Sequence, residues 1–181
     1  MTTPNGPYPP APPYVSAQNN EPAWPTLFPP PVQGLAVAYF GQHMAPTPVA
    51  TRVPKPGRDQ DIAAVSGFLR VQAGGGVLRP DGFLYDVVVH LHAYAPNNQE
   101  SLAEIIAMRA VAIGGNAQGS MLVHPSLQRP WYITYSRVTS LAVASADPLV
   151  AMSHFKASCL WRTQGMEDPL PNDTDPLGAG L

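Results

Sequence analysis

The chain has 181 residues, a formal charge of −2, only 12% charged residues and 23 prolines. That length fits one domain with tails, and the low charge, against a usual share of about 25%, excludes a highly charged disordered chain and suits a surface that partners cover. The single Cys159 excludes an internal disulfide framework and a Cys-based structural zinc site.

Eleven of the prolines lie in residues 1–31 and three in 169–176, which leaves nine for the whole middle. Each proline fixes φ and removes a donor, so residues 1–31 can form neither a helix nor a central strand and should sample extended polyproline conformations. Tyr14, Trp24, Leu27 and Phe28 in this arm are anchors that a purely solvated linker does not need. Two readings stand: a disordered tail, or an arm that lies on a neighbouring subunit with its aromatics in pockets. The opening Met-Thr-Thr-Pro-Asn-Gly lacks the basic region and apolar core of a secretory signal. No apolar run reaches the ~18–20 residues of a membrane span. The expectation is a soluble protein made in a reducing cytoplasm.

The spacing of Leu35, Ala36, Tyr39, Phe40 and His43 predicts a helix over 32–44, ended by Pro46 and Pro48. Residues 49–53 read as a short strand. The polar loop 54–61 follows, with Lys55, Arg58, Asp59 and Asp61 in eight residues of an otherwise weakly charged chain. It is either a solvated turn or a projecting loop at a subunit contact or a pore, where mixed signs favour specific pairing.

Residues 62–73 alternate as a strand, with Val65, Gly67, Leu69 and Val71 on one face and Ser66, Phe68, Arg70 and Gln72 on the other. Gly74-Gly75-Gly76 and Arg79-Pro80-Asp81-Gly82 read as a long reversal. Residues 83–94 form the clearest strand: Phe83, Tyr85, Val87, Val89, Leu91 and Ala93 make an apolar face, with Asp86, His90 and His92 on the other. Two strands around a glycine-rich turn imply an antiparallel pair. A helix over about 98–113 follows. Asn97 with Glu100, and Ser101 with Glu104, have capping-box spacing, and Leu102, Ile105, Ile106, Ala110 and Ile113 line one face. Gly114-Gly115-Asn116 should stop it through residues that tolerate positive φ. Strands over 131–144 and 150–163 close the domain. The order α-β-β-β-α-β-β predicts an α+β fold: a largely antiparallel sheet with two helices on one face. It occupies 32–165, between the Pro-rich arm 1–31 and a Pro/Gly-rich tail 166–181.

All ten Lys and Arg lie in the middle of the chain with seven acids, so the domain carries +3. The tail carries −4 through Glu167, Asp168, Asp173 and Asp175. A domain at +3 is too weakly basic to read as a nucleic-acid binder. The best metal candidates are His90 and His92, on one strand face, with His154 as a third if the strands are neighbours; this would be the basis of a metal-dependent enzyme. The plain reading is surface or interface histidines. Gly74–Gly76 lacks the Lys-Ser/Thr ending of a phosphate loop, no Gly-x-Ser-x-Gly elbow exists, and Cys159 shows no sign of activation. No residue pattern announces an enzyme or a cofactor.

Several parts together carry a resemblance: the short helix before the Pro-bounded Pro48-Val-Ala-Thr-Arg-Val-Pro54, the Phe68-Leu-Arg-Val-Gln-Ala-Gly-Gly-Gly76 segment, and the Asp86-Val-Val-Val-His-Leu-His-Ala-Tyr94 strand. The helix from Asn-Asn-Gln-Glu-Ser-Leu-Ala-Glu104 comes next, then Arg129-Pro-Trp-Tyr132 and two strands ending near Trp161-Arg162. Over about 32–165 the chain resembles the tail-terminator proteins of long-tailed, non-contractile bacteriophages. Head-closure and connector proteins of the phage neck share much of the pattern. The resemblance implies a hexameric ring at the head–tail junction of a virion, made in the host bacterial cytoplasm. Such a ring caps the tail tube, meets the major tail tube protein and the head connector, and passes double-stranded DNA through its lumen without catalysis or cofactor. The arm and the acidic tail depart from a minimal family member. A small-molecule or peptide-binding module on the sheet face is a third class, and it predicts a monomer with a concave pocket.

Overall fold

A computed structural model describes residues 29–52, 67–80, 82–125, 130–146 and 152–165. The arm residues Tyr14, Trp24, Leu27 and Phe28, the loop residues Lys55, Arg58, Asp59 and Asp61, and the tail 166–181 lie outside the described residues.

The architecture is α+β. Helix α1 spans Val32–His43 and α2 spans Glu100–Gly115, and the strands are β1 Val49–Ala50, β2 Phe68–Leu78, β3 Leu84–Ala95, β4 Met121–Val123, β5 Pro130–Ala144 and β6 Ser153–Gln164. They form one six-stranded sheet in the order β1-β2-β3-β6-β5-β4. All neighbours are antiparallel except β1 and β2, which run parallel. Among the described residues there is one strand, β4, that the sequence pattern does not predict. β4 is three residues long, too short for alternation to register against its surroundings.

Strand alternation builds the core. Val71, Val87, Val89, Leu91, Ala157, Cys159 and Trp161 point to one face and pack in a single cluster with Leu35, Ala36, Tyr39 and Phe40 of α1 and Ile106, Ala107, Ala110 and Val111 of α2. Full burial of a large apolar side chain is worth about 1.5–3 kcal/mol, so a helical face presenting Leu35, Tyr39 and Phe40 outweighs the weak intrinsic helix preference of a twelve-residue segment. Trp161 sits at the centre: its ring lies 5.4 Å edge-on from Tyr39 and 5.8 Å stacked from Phe40, and its indole N–H donates to the Gly114 carbonyl at 2.8 Å.

The helix boundaries depart from expectation in instructive ways. No side-chain cap closes α2, whose N-cap is Gln99; Asn98 takes φ 71°, which breaks the Asn97–Glu100 box, and Ser101 lies inside the helix, so the Ser101–Glu104 box does not form. Gly114 and Gly115 lie inside α2 and do not end it. The reason is packing: a Cβ on Gly114 would stand 2.7 Å from Cys159 Sγ and 3.0 Å from the Phe40 ring. Ile105 is exposed, not core-facing, while Ala103 and Val111 are buried. His43 is also exposed, and Met44, just past the helix, is buried instead.

Gly74–Gly76 is not the reversal. It lies within β2, where the register shifts between Ala73 and Gly76. A bulge of this kind accommodates glycine readily, and a Cβ on Gly74 would meet His90 Nε2 at 2.9 Å. The turn falls at Arg79 to Phe83, where Gly82 N–H donates to Arg79 O at 2.9 Å and Arg79 N–H to Leu84 O at 2.8 Å.

Candidate functional site

The second face of the sheet carries the side chains of opposite parity, and among the described residues no helix covers it. The register sets it out as five rows across the strands: Phe68–Tyr94–His154, Arg70–His92–Lys156, Gln72–His90–Ser158, Val88–Leu160–Arg137 and Asp86–Arg162–Tyr135. Directly opposed residues on one face stand about 4.5–5.5 Å apart at Cβ, so each row is a contact set.

The first two rows form a ladder of rings. Phe68 and Tyr94 stack at 4.8 Å, Tyr94 and His154 at 4.4 Å, and His154 and His92 at 5.3 Å. His92 Nδ1 lies 3.1 Å from His154 Nε2. One nitrogen must donate and the other accept, so the pair cannot be doubly protonated and keep this bond. Burial pushes the His92 imidazole down to about 4, helped by the positive charges of His154, Arg70, Lys156 and His90. His90, predicted to pair with His92, lies on the same face but one row away, against Gln72 and Ser158. Among the described residues no group of three or more His, Cys, Asp or Glu could hold a metal ion.

At the opposite end of the face Asp86 is clamped. Arg162 Nε and Nη2 donate to its two oxygens at 2.6 and 3.0 Å, and Arg79 Nη1 donates at 3.3 Å. The Arg162 hydrogen bond is the main cause holding the Asp86 carboxyl below the usual carboxylate range. The Arg162 guanidinium also lies 5.1 Å from the Tyr135 ring centre, a cation–π contact. Cys159 is on the core face, as its parity opposite His154 predicts, and burial pushes its thiol up to about 12. A buried thiol whose thiolate is disfavoured in this way is a poor nucleophile.

The two flanks of the sheet differ from each other. On the β2 flank, β1 pairs only with Leu69 and Arg70. Beyond it the Gln33 side chain acts as a one-residue strand: Gln33 Nε2 donates to Val71 O and Ala73 N–H donates to Gln33 Oε1, both at 2.7 Å. From 74 to 78 the edge has no strand partner among the described residues, and Val77 is 71% exposed. On the β5 flank, segment 118–123 covers the strand as far as Ser136, whose hydroxyl donates to Gly115 O at 2.6 Å and accepts from Gln118 N–H at 2.9 Å. Residues 137–144 have no outer strand partner among those described, and Val138, Leu141 (71%) and Val143 are exposed. Unpaired edges with apolar side chains invite another chain.

Two concavities accompany these surfaces. One, of about 780 Å³, lies where α2 begins and β5 and β6 approach, and Asn97, Ser101, Ser145 and His154 are among its lining. The other, of about 470 Å³, is formed by Pro30, Val32, Tyr85 and Val87 beside Gly74. It adjoins Pro29, where the N-terminal arm joins the domain. No described helix is long and apolar enough to cross a membrane. No protein-family model matches the chain, and no curated protein matches its sequence.

Reading the sequence alone places His90, His92 and Asp86 on one face and pairs His92 with His154 conditionally. It misses the Arg70–His92–Lys156 row and the Gln33 clasp. The row depends on which strands are neighbours and in which register, and single-strand alternation carries neither.

Proposed function

We propose that this chain is a structural virion protein: a tail terminator that forms a ring, six subunits by the resemblance, on the tail tube of a long-tailed, non-contractile bacteriophage. It stops tube growth and joins the tail to the head connector, and DNA passes through its lumen. The observation that carries this reading is the pair of unlike open edges. Residues 137–144 of β5 and 74–78 of β2 are both without an outer strand among those described, and both bear exposed apolar groups. Edge-to-edge contact between two different flanks is heterologous, and a heterologous contact closes into a ring when its rotation divides the circle. A closed ring leaves no edge exposed, which removes the aggregation hazard of both. The apolar groove beside Pro29 supports a role for the arm: Trp24 or Phe28 of a neighbouring copy fits it, and extended proline-rich chain bridges subunits at low entropic cost. The reading needs neither catalysis nor cofactor.

The test is tube growth. Purified major tail protein is allowed to polymerise with and without this chain, and tube lengths are measured by electron microscopy. A terminator shortens the tubes and is found at one end only. Unchanged tube length together with binding to the head connector would instead make it the head-closure ring. Unchanged length with no binding to either would end the neck reading.

A further inference from the structure

The second row of the helix-free face places two cationic side chains, Arg70 and Lys156, on either side of His92. Arg70 is the register partner of His92, and His92 of Lys156. His92 between them is held neutral, and this row holds no acid. The one acid in the five rows is Asp86, at the far end and already claimed by Arg162 and Arg79. Arg70 Nη2 reaches Gln72 Oε1 at 3.3 Å, yet Arg70 Nε is buried with no hydrogen-bond partner in the structure. With Arg137 in the fourth row, the face carries a charge excess that the described residues do not offset.

The tail has the opposite character. Residues 166–181 contain Glu167, Asp168, Asp173 and Asp175 and no Lys, Arg or His. It leaves from Gly165, directly after β6, the middle strand of this face. We infer that the tail turns back along β6 and docks in cis on the helix-free face, short of its buried Phe68–Tyr94–His154 row, with Asp173 and Asp175 at the Arg70–His92–Lys156 row. The lengths agree. From Gly165 back to Lys156 is nine strand residues, about 30 Å at 3.3 Å each. From Gly165 forward to Asp175 is ten residues, a reach of about 31 Å at the ~3.1 Å per residue of extended chain. The same return leaves Glu167 and Asp168 near Arg162, and brings Leu170 over the half-buried Val88 and Leu160 in the middle. A tail seated this way neutralises the row and covers the face.

Zero-length carbodiimide crosslinking of the full chain tests this, because Lys156 supplies a primary amine in the row. The expected product is a crosslinked peptide joining Lys156 to Asp173 or Asp175, running at monomer mass on a denaturing gel. Its yield falls about fivefold or more in molar salt, where screening acts within ~3 Å. Three results would overturn the inference. The first is absence of any Lys156–tail peptide. The second is a yield indifferent to salt, or matched by tail crosslinks to Lys55. The third is the Lys156–tail peptide only at dimer mass, which hands the tail to another copy. The contact is intramolecular and does not depend on ring formation, so failure here leaves the tail-terminator reading standing, and the reverse also holds.

Discussion

Gly114 shows how one residue sets a local balance. In an exposed helix interior, replacing glycine with alanine stabilises by about 1 kcal/mol. Here the new methyl would meet Cys159 Sγ at 2.7 Å and the Phe40 ring at 3.0 Å, and overpacking of a filled core costs about 1–3 kcal/mol. The clash outweighs the propensity gain. Gly114→Ala should therefore lower the denaturant midpoint, and a raised midpoint would show that the contact yields. His92 gives a pH signature. Its folded value of about 4 lies below its ordinary 6.5, so between those values the unfolded chain binds the proton and the folded chain does not. The stabilisation from keeping His92 neutral is fully present above pH 6.5 and is lost as pH falls toward 4. The groups acting on it are Arg70 from β2, His90 from β3 and His154 and Lys156 from β6. Tail carboxylates at the row would oppose the charge part of the shift and leave desolvation, its largest cause, in place. The melting temperature should fall between pH 6.5 and 4, and His92→Gln should flatten that slope. Asp86 acts at lower pH: its depressed carboxyl contributes stability present above its ordinary 3.8 and lost below it.

At the scale of elements, the two described helices and the four long strands, β2, β3, β5 and β6, were legible as periodicity, because each has an apolar face to bury. Boundaries were less legible. The pattern Asn97–Glu100 has capping-box spacing, but Asn98 at φ 71° breaks the geometry. The run Gly74–Gly76 looks like a turn and is a strand with a bulge, held there by the close approach of His90. The Gln33 clasp was invisible because it joins residues 38 and 40 positions apart in sequence. It also has a measurable consequence. Gln33→Ala removes two bonds of 2.7 Å and leaves Val71 O and Ala73 N–H to find other partners. The cost should be about 1–3 kcal/mol in a denaturation experiment. A change below about 0.5 kcal/mol, the usual range for a surface substitution, would show that water replaces the amide without loss.

For the whole molecule, low charge reads as a surface that partners cover. The fold supplies two unlike edges, residues 74–78 of β2 and 137–144 of β5, with no outer strand among the described residues. Which edges are open could not be read beforehand, since strand order places β6 between β3 and β5 and sequence order does not. If the β5 edge is a subunit contact, a charge there should weaken assembly and spare the fold. Leu141 is 71% exposed, so Leu141→Glu should leave thermal stability of the dissociated chain within about 0.5 kcal/mol while shifting the oligomer toward smaller species in analytical ultracentrifugation. Equal oligomer distributions for the two proteins would remove residues 137–144 from the interface.

The most direct test of the ring is native mass spectrometry of the purified full chain at high micromolar concentration. The account predicts a closed oligomer of six 19.3 kDa chains without a ladder of open intermediates. A species that stays at 19.3 kDa across the concentration range would contradict it.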